Sequence, residues 1–261
     1  MEPAERRLYE HPPLREAVME FRFESEDDWD SVFFGQLLHA LPDYPEHETV
    51  QQASLLIAQD EMGFGPSLEF KRFWRTDRGM VVTVGPGLLA VSSLPQLMPE
   101  GHSWERLRDA AFTVLAAYQK IVNPGPPRLS GLRYINALTI TPSAFRLSDY
   151  VANKAGLFPP VLLDEQNPFS ARFERISLVT EEIRRRDIVT LAAQPVPDGT
   201  GELLFDIDQV IQWLKIPGPS ELVEGYEKMH SRVHKMFNQV FLPEILASFG
   251  PREHKKGGRN A

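Results

Sequence analysis

One layout occurs twice in this chain, and that repeat limits the fold more than any short motif does. A strand-like run, Ala17–Phe23, precedes a short helical run from Asp28 to Leu41. Strand-like runs follow, then an amphipathic helix from Trp104 to Val122. The order restarts with Gly131–Ile140 as a strand and Ser143–Leu157 as a helix, then three more strands, then a long helix from Glu221 to about Phe241. The closing helices begin about 117 residues apart, and the opening strands are similarly spaced. The expected architecture is α+β, built from two internally duplicated β-α-βββ-α halves at residues 14–126 and 127–250. An N-terminal arm at 1–13 and a flexible basic tail at 251–261 flank them. Antiparallel strands with helices gathered on one face follow from this order.

The local signals behind these elements are periodicity and punctuation. Trp104, Leu107, Ala111, Val114, Leu115, Tyr118 and Val122 keep the spacing of one buried helical stripe, and Ser103 suits the N-cap. The run from Asn123 to Pro127 ends that helix and divides the halves. In the first helix Asp28 or Asp30 is the expected cap, Trp29, Phe33, Leu37 and Leu41 the buried stripe, and Pro42 the stop. In Ser67–Trp74, Leu68, Phe70, Arg72 and Trp74 share one strand face, opposite Glu69, Lys71 and Phe73. Thr76–Gly79 reads as a turn in which Gly79 supplies the positive φ. Arg172–Glu181, with a hint of a bulge, Asp187–Gln194 and Glu202–Ile211 are the later strands. Ser220 is the expected cap of the last helix. Its stripe runs through Leu222, Tyr226, Met229, Val233, Met236, Phe237 and Val240, and Pro243 kinks or splits it.

Composition excludes several chemistries. The 261 residues include no cysteine, which removes disulfides, thiolate nucleophiles and cysteine-ligated metals. The net charge is −8, carried by residues 1–126, where 11 Lys and Arg face 20 Asp and Glu. Glu20, Glu24, Glu26, Asp27, Asp28 and Asp30 form the densest acidic stretch, either a solvated strand end or a docking patch for a basic partner. The first residues lack the apolar core of a signal peptide, and no window reaches membrane-spanning length, so the expected location is cytoplasmic.

Motifs for phosphate loops, dinucleotide folds, nucleophile elbows and zinc proteases do not occur. His230 and His234 lie one helical turn apart and could share a metal, but two histidines do not complete a site, and no cofactor is expected. None of the remaining histidines, His102 included, has an obvious serine partner in the sequence. Asp206 and Asp208 point to one strand face, as a carboxylate pair or as a solvent face opposite Leu204 and Ile207. Lys71, Arg72, Arg75 and Arg78 interleave with Phe70, Phe73 and Trp74, and Arg184–Arg186 form a second basic run; both suit nucleic acid, which the overall acidity opposes. In Gly131–Ile140, Asn136 shares a face with Tyr134, Leu138 and Ile140, the expected core side. Arg133 then projects from the other face, to grip a carboxylate or phosphate or to pair with Asp206 or Asp208. The candidate binding residues are therefore Arg133, Arg72, Trp74, Asp206 and Asp208.

Pro12-Pro13-Leu14 with Glu16, Leu132–Asn136, the late LLFDID and the closing FLPEILASFG resemble, over nearly the whole chain, a sporadically distributed bacterial family of uncharacterised proteins of about 250 residues. The resemblance implies no established activity and no catalytic residues. Its patchy distribution is similar to that of genes on mobile elements, including defence and toxin–antitoxin loci. Ala137 departs from the basic residue expected in relatives. The two-half plan is similar in topology to the duplicated saddle of TATA-binding-protein-like and helix-grip folds, with one curved sheet backed by helices. The expected function is non-enzymatic binding of a partner protein, encoded by a neighbouring gene, in an accessory or regulatory role. The alternatives are a small-molecule-binding or hydrolytic helix-grip-like domain and, third, a nucleic-acid-binding protein. A homodimer is compatible with all three.

Overall fold

Alternation in Leu14–Arg22 (β1) sends Ala17, Met19 and Phe21 to a fully buried side and Arg22 to the other. The computed structural model describes residues 9–24, 30–52, 55–58, 61–64, 68–98, 101–141, 145–152, 168–195 and 200–250. The further strands are β2 (Glu46–Gln52), β3 (Leu55–Ala58), β4 (Glu61–Phe64), β5 (Leu68–Trp74), β6 (Met80–Gly85) and β7 (Leu88–Ser93). They continue as β8 (Leu129–Ile140), β9 (Phe169–Thr180), β10 (Ile183–Pro195) and β11 (Gly201–Trp213). The helices are α1 (Val32–Ala40), α2 (Trp104–Val122), α3 (Pro219–Val240) and α4 (Pro243–Ser248). Nine strands form one open antiparallel sheet in the order β2-β5-β6-β7-β1-β8-β11-β10-β9, while β3 and β4 pair separately. Outward from the β1–β8 pair, the order is β7-β6-β5 on one side and β11-β10-β9 on the other. β8 begins about 115 residues after β1, and α3 begins about 115 after α2.

The helices gather on one face because the apolar rows of the strands do. Phe21 of β1 meets Phe112 of α2 at 6.0 Å and Tyr226 of α3 at 5.2 Å between ring centroids. A single side chain therefore touches both long helices. Trp104 stacks on His230 at 4.3 Å and donates its indole N–H to Glu227, so the helices also hold each other. α1 packs beside α2 through buried Phe34 and Leu37. α4 closes on the end of α3 through Phe249, whose ring meets Phe237 and Phe241.

α2 has the expected bounds and the expected stripe, and Ser103 Oγ accepts the Arg106 N–H as its cap. Pro243 splits the final helix as expected. The bulge expected from Phe173, Ile176 and Leu178 is not there: pairing with β10 is continuous from Phe173 to Leu178, Ile176 and Leu178 are exposed, and the register shift falls at Val179, opposite Ile183 and Arg184.

Other expectations need correction. α1 buries Phe34 rather than Phe33, and Asp30 accepts the Val32 N–H beside its start; Asp28 and Trp29 lie outside the described residues. In the 76–79 turn the left-handed residue is Arg78, with φ 60°, because the Asp77 carboxylate accepts the Gly79 N–H and moves the tight corner one residue earlier. α3 starts earlier, with Pro219 at its first position and the Glu221 carboxylate accepting the Gly218 N–H, so Ser220 is not its cap. Met236 is only partly buried, whereas Gly225 and His230 join the stripe. Of the expected helix 143–157, the described residues 145–152 hold one short 3-10 turn, Leu147–Asp149. The arm is not loose where it is described: Glu10 and His11 donate to the carbonyls of Gly250 and Phe249. The tail 251–261 lies outside the described residues.

Leu115 lies mid-stripe on α2 and is 4% exposed. Leu115→Ala should lower unfolding stability by about 2–5 kcal/mol in chemical denaturation.

Candidate functional site

The second face of the sheet carries no described helix, and strand parity assigns it the even positions of β1, β5, β10 and β11 and the odd positions of β8. All five candidate residues fall on this face: Arg72 and Trp74 on β5, Arg133 on β8, Asp206 and Asp208 on β11. They form two groups, not one. β5 and β8 are four strand spacings apart in the sheet order, about 19 Å at normal strand separation.

The central group spans β1, β8 and β11. Arg133 faces Val18 on one side and Asp208 on the other. Its guanidinium nevertheless turns to the diagonal neighbour. Nε donates to both Asp206 oxygens at 2.9 and 3.1 Å, and Nη2 donates to Oδ2 at 2.6 Å. That hydrogen bonding raises Arg133 further above the ordinary guanidinium value. Arg133 keeps 49% of its side chain exposed, against 15% for Asp206.

Asp208 is left over. Among the described residues its carboxylate makes no hydrogen bond and no ion pair, although Arg133 stands opposite. Burial pushes its pKa up to about 6; the negative charges of Asp206 and Glu20 push the same way, and Arg133 and Arg172 offset only part. Glu20 is also committed elsewhere, to Arg22. Its side chain passes over Gly131, where an added Cβ would sit 3.3 Å from Glu20 Cβ. Glycine there leaves room for the acid between β1 and β8. Leu204, expected opposite the aspartates, shares their face, and Ile207 is buried beneath the helices.

The second group is closed on itself. Trp74 Nε1 donates to Glu48 at 3.2 Å, and Arg72 pairs with the same carboxylate at 3.6 Å. Arg78 lies 5.4 Å from the Trp74 ring centroid and pairs with Glu46. A nucleic acid phosphate would have to displace these carboxylates. In the other basic run, alternation sends Arg184 and Arg186 to this face and Arg185 to the helix side.

On the helix face, the histidines gather. His102 Nδ1 lies 3.2 Å from Ser93 Oγ, and its Nε2 lies 3.2 Å from the Tyr134 hydroxyl. His102 thus has the serine partner that the sequence hides, because strand β7 and the start of α2 meet only in the fold. Burial pulls its imidazole down to about 4, and the neighbouring His234 and Arg106 act in the same direction. Ser93 is 0% exposed, so no substrate reaches its hydroxyl, and the contact ties β7 and β8 to the start of α2. His230 and His234 meet edge to face at 4.5 Å. Among the described residues no group of three His, Cys, Asp or Glu is placed to hold a metal. No helix is long and apolar enough to cross a membrane among those residues.

Sequence reasoning missed Glu20 as part of the central group. Its only signal was parity with Val18 and Arg22 in β1, which means little until β8 is known to lie alongside. No protein-family model matches this chain, and no curated protein matches it.

The two shifted groups respond to pH with opposite signs. The Asp208 carboxyl is raised in the fold, so its ionisation costs stability above about pH 6. That cost vanishes near the ordinary carboxyl value of about 4. His102 is lowered, so the fold loses stability as pH falls from about 6.5 toward 4. Asp208→Asn should therefore unfold at higher denaturant than the parent above pH 6. Its advantage should fade by about pH 4 in denaturation curves collected at each pH, and the His102 contribution cancels in that difference.

Proposed function

We propose that this chain is a non-enzymatic binding protein that receives a partner protein on the face of its sheet that carries no described helix. The observation that carries this reading is the central group: a half-exposed arginine held by Asp206, beside a partly buried Asp208 carboxylate that makes no hydrogen bond or ion pair among the described residues. Such a carboxylate gains most from a lysine or arginine brought by another chain, because its desolvation cost is already present in the free protein. Arg133 is fixed in geometry and keeps donors free for a carboxylate of the same partner.

The reading includes ancestry and setting. The mirrored strand order about β1 and β8 and the equal spacing of strands and helices support an internal duplication, with a saddle plan similar to that of TATA-binding-protein-like folds. The resemblance to a patchily distributed bacterial family supports an accessory or regulatory role in a defence or mobile-element locus, with the partner encoded next door. The hydrolytic alternative loses support from the full burial of Ser93. The nucleic-acid alternative loses it from the carboxylates that occupy Arg72 and Arg78.

Co-purification with the product of the adjacent gene tests the reading. Arg133→Ala should keep the parent's melting temperature within a few degrees and lose the partner. Asp208→Asn should weaken binding by roughly tenfold, the loss of one charge-assisted contact. Normal binding by both variants would sink the proposal.

A further inference from the structure

Asp187 of β10 lies on the helix face and is only 5% exposed. Three arginines converge on it from three elements. Arg175, its register partner on β9, donates through Nε and Nη2 to Oδ2 at 3.2 and 2.7 Å. Arg232 of α3 donates through Nε to Oδ1 at 3.1 Å and through Nη2 to Oδ2 at 2.8 Å. Arg185 brings Nε to 3.2 Å from Oδ1, but that buried N–H makes no hydrogen bond.

One carboxylate does not satisfy this set. Three guanidinium charges against one carboxylate leave a surplus of two positive charges. Both Asp187 oxygens are already occupied, while each guanidinium has five N–H donors. Among the described residues, the three arginines make no other ion pair. The strain shows on both sides. Burial pulls Arg185 below the ordinary guanidinium value, and Arg232 and Arg175 add to that. Burial also works against the Asp187 carboxylate, yet the hydrogen bonds from Arg232 and Arg175 hold it below the usual range.

Arg232 alone would tie α3 to the sheet. Adding two more cations to a saturated carboxylate brings like-charge repulsion with no new hydrogen-bond acceptor. A second anion removes that repulsion. It should carry close to two negative charges, and it should offer several acceptor oxygens in different directions. A phosphate group meets both conditions near neutral pH. Arg175 is 61% exposed, so the group is open to solvent on the β9 side.

We propose that Arg175, Arg185 and Arg232 form a phosphate-binding site, with Asp187 holding the three guanidiniums in position. It lies on the opposite face of the sheet from the partner surface and does not depend on that reading.

Inorganic phosphate and phenyl phosphate, each titrated into the full chain by calorimetry and thermal melting, test this against sodium chloride at matched ionic strength. Phosphate should bind saturably and raise the melting temperature beyond chloride. Arg175→Gln, which alters the most exposed of the three, should weaken that binding by about tenfold or more. Asp187→Asn removes the resident anion, so phosphate should raise its melting temperature more than the parent's. Binding of both compounds marks a site for the phosphate group itself, and binding of phenyl phosphate alone marks one for a monoester. No response beyond chloride, or equal affinity in Arg175→Gln, would overturn the assignment. If Asp187→Asn does not fold, the Arg175→Gln comparison still decides.

Discussion

The antiparallel pairing of β1 with β8 is the constraint on which the rest of this molecule depends. It places β1 and β8 side by side at the middle of a nine-stranded sheet. A strand in that position is buried on its helix side along its whole length, as Ala17, Met19 and Phe21 are. A slip of one residue would turn Phe21 to the opposite face of the sheet and Glu20 into the aromatic core with Phe112 and Tyr226. The register therefore sets both the core and the surface chemistry. It is the same alternation that leaves Arg133, Asp206 and Asp208 together on one side.

The two faces use charge differently. On the face opposite the described helices, Arg133 chooses the diagonal carboxylate, and the one directly opposite makes no hydrogen bond or ion pair among the described residues. On the helix face, Asp187 faces the reverse imbalance, with more cations than it can pair. Buried charges that do not cancel are costly, and the cost does not disappear through packing alone. At both places the fold departs from local satisfaction, and functional sites concentrate at such departures.

Much of the architecture was legible because its signals are local. The stripe from Trp104 to Val122 could be read residue by residue, since 3.6-residue periodicity needs no knowledge of the partner. The face of Arg133 could be read as well, because Tyr134, Leu138 and Ile140 declare which side is apolar. β2 could not: EHETVQQ has almost no apolar residue, and it forms a strand because β5 supplies a pairing edge. The same limit hid the contacts of His102 with Ser93 and of Asp187 with Arg232. Those pairs are distant in sequence or lie on different elements, and no spacing rule joins them. The Arg184–Arg186 run looked like one basic patch, yet strand alternation splits it between two faces.

Tyr226 donates its hydroxyl to the carbonyl of Glu20, joining the last long helix to the first strand. Together with the β1–β8 ladder, this bond sets a schedule for synthesis. The edge of β1 that β8 will cover waits for about 115 further residues to be made. At 5–20 residues per second, that is roughly 6–23 s during which an apolar strand edge is open to any other chain. Until β8 is made, that edge of β1 is a template on which another chain could add a strand.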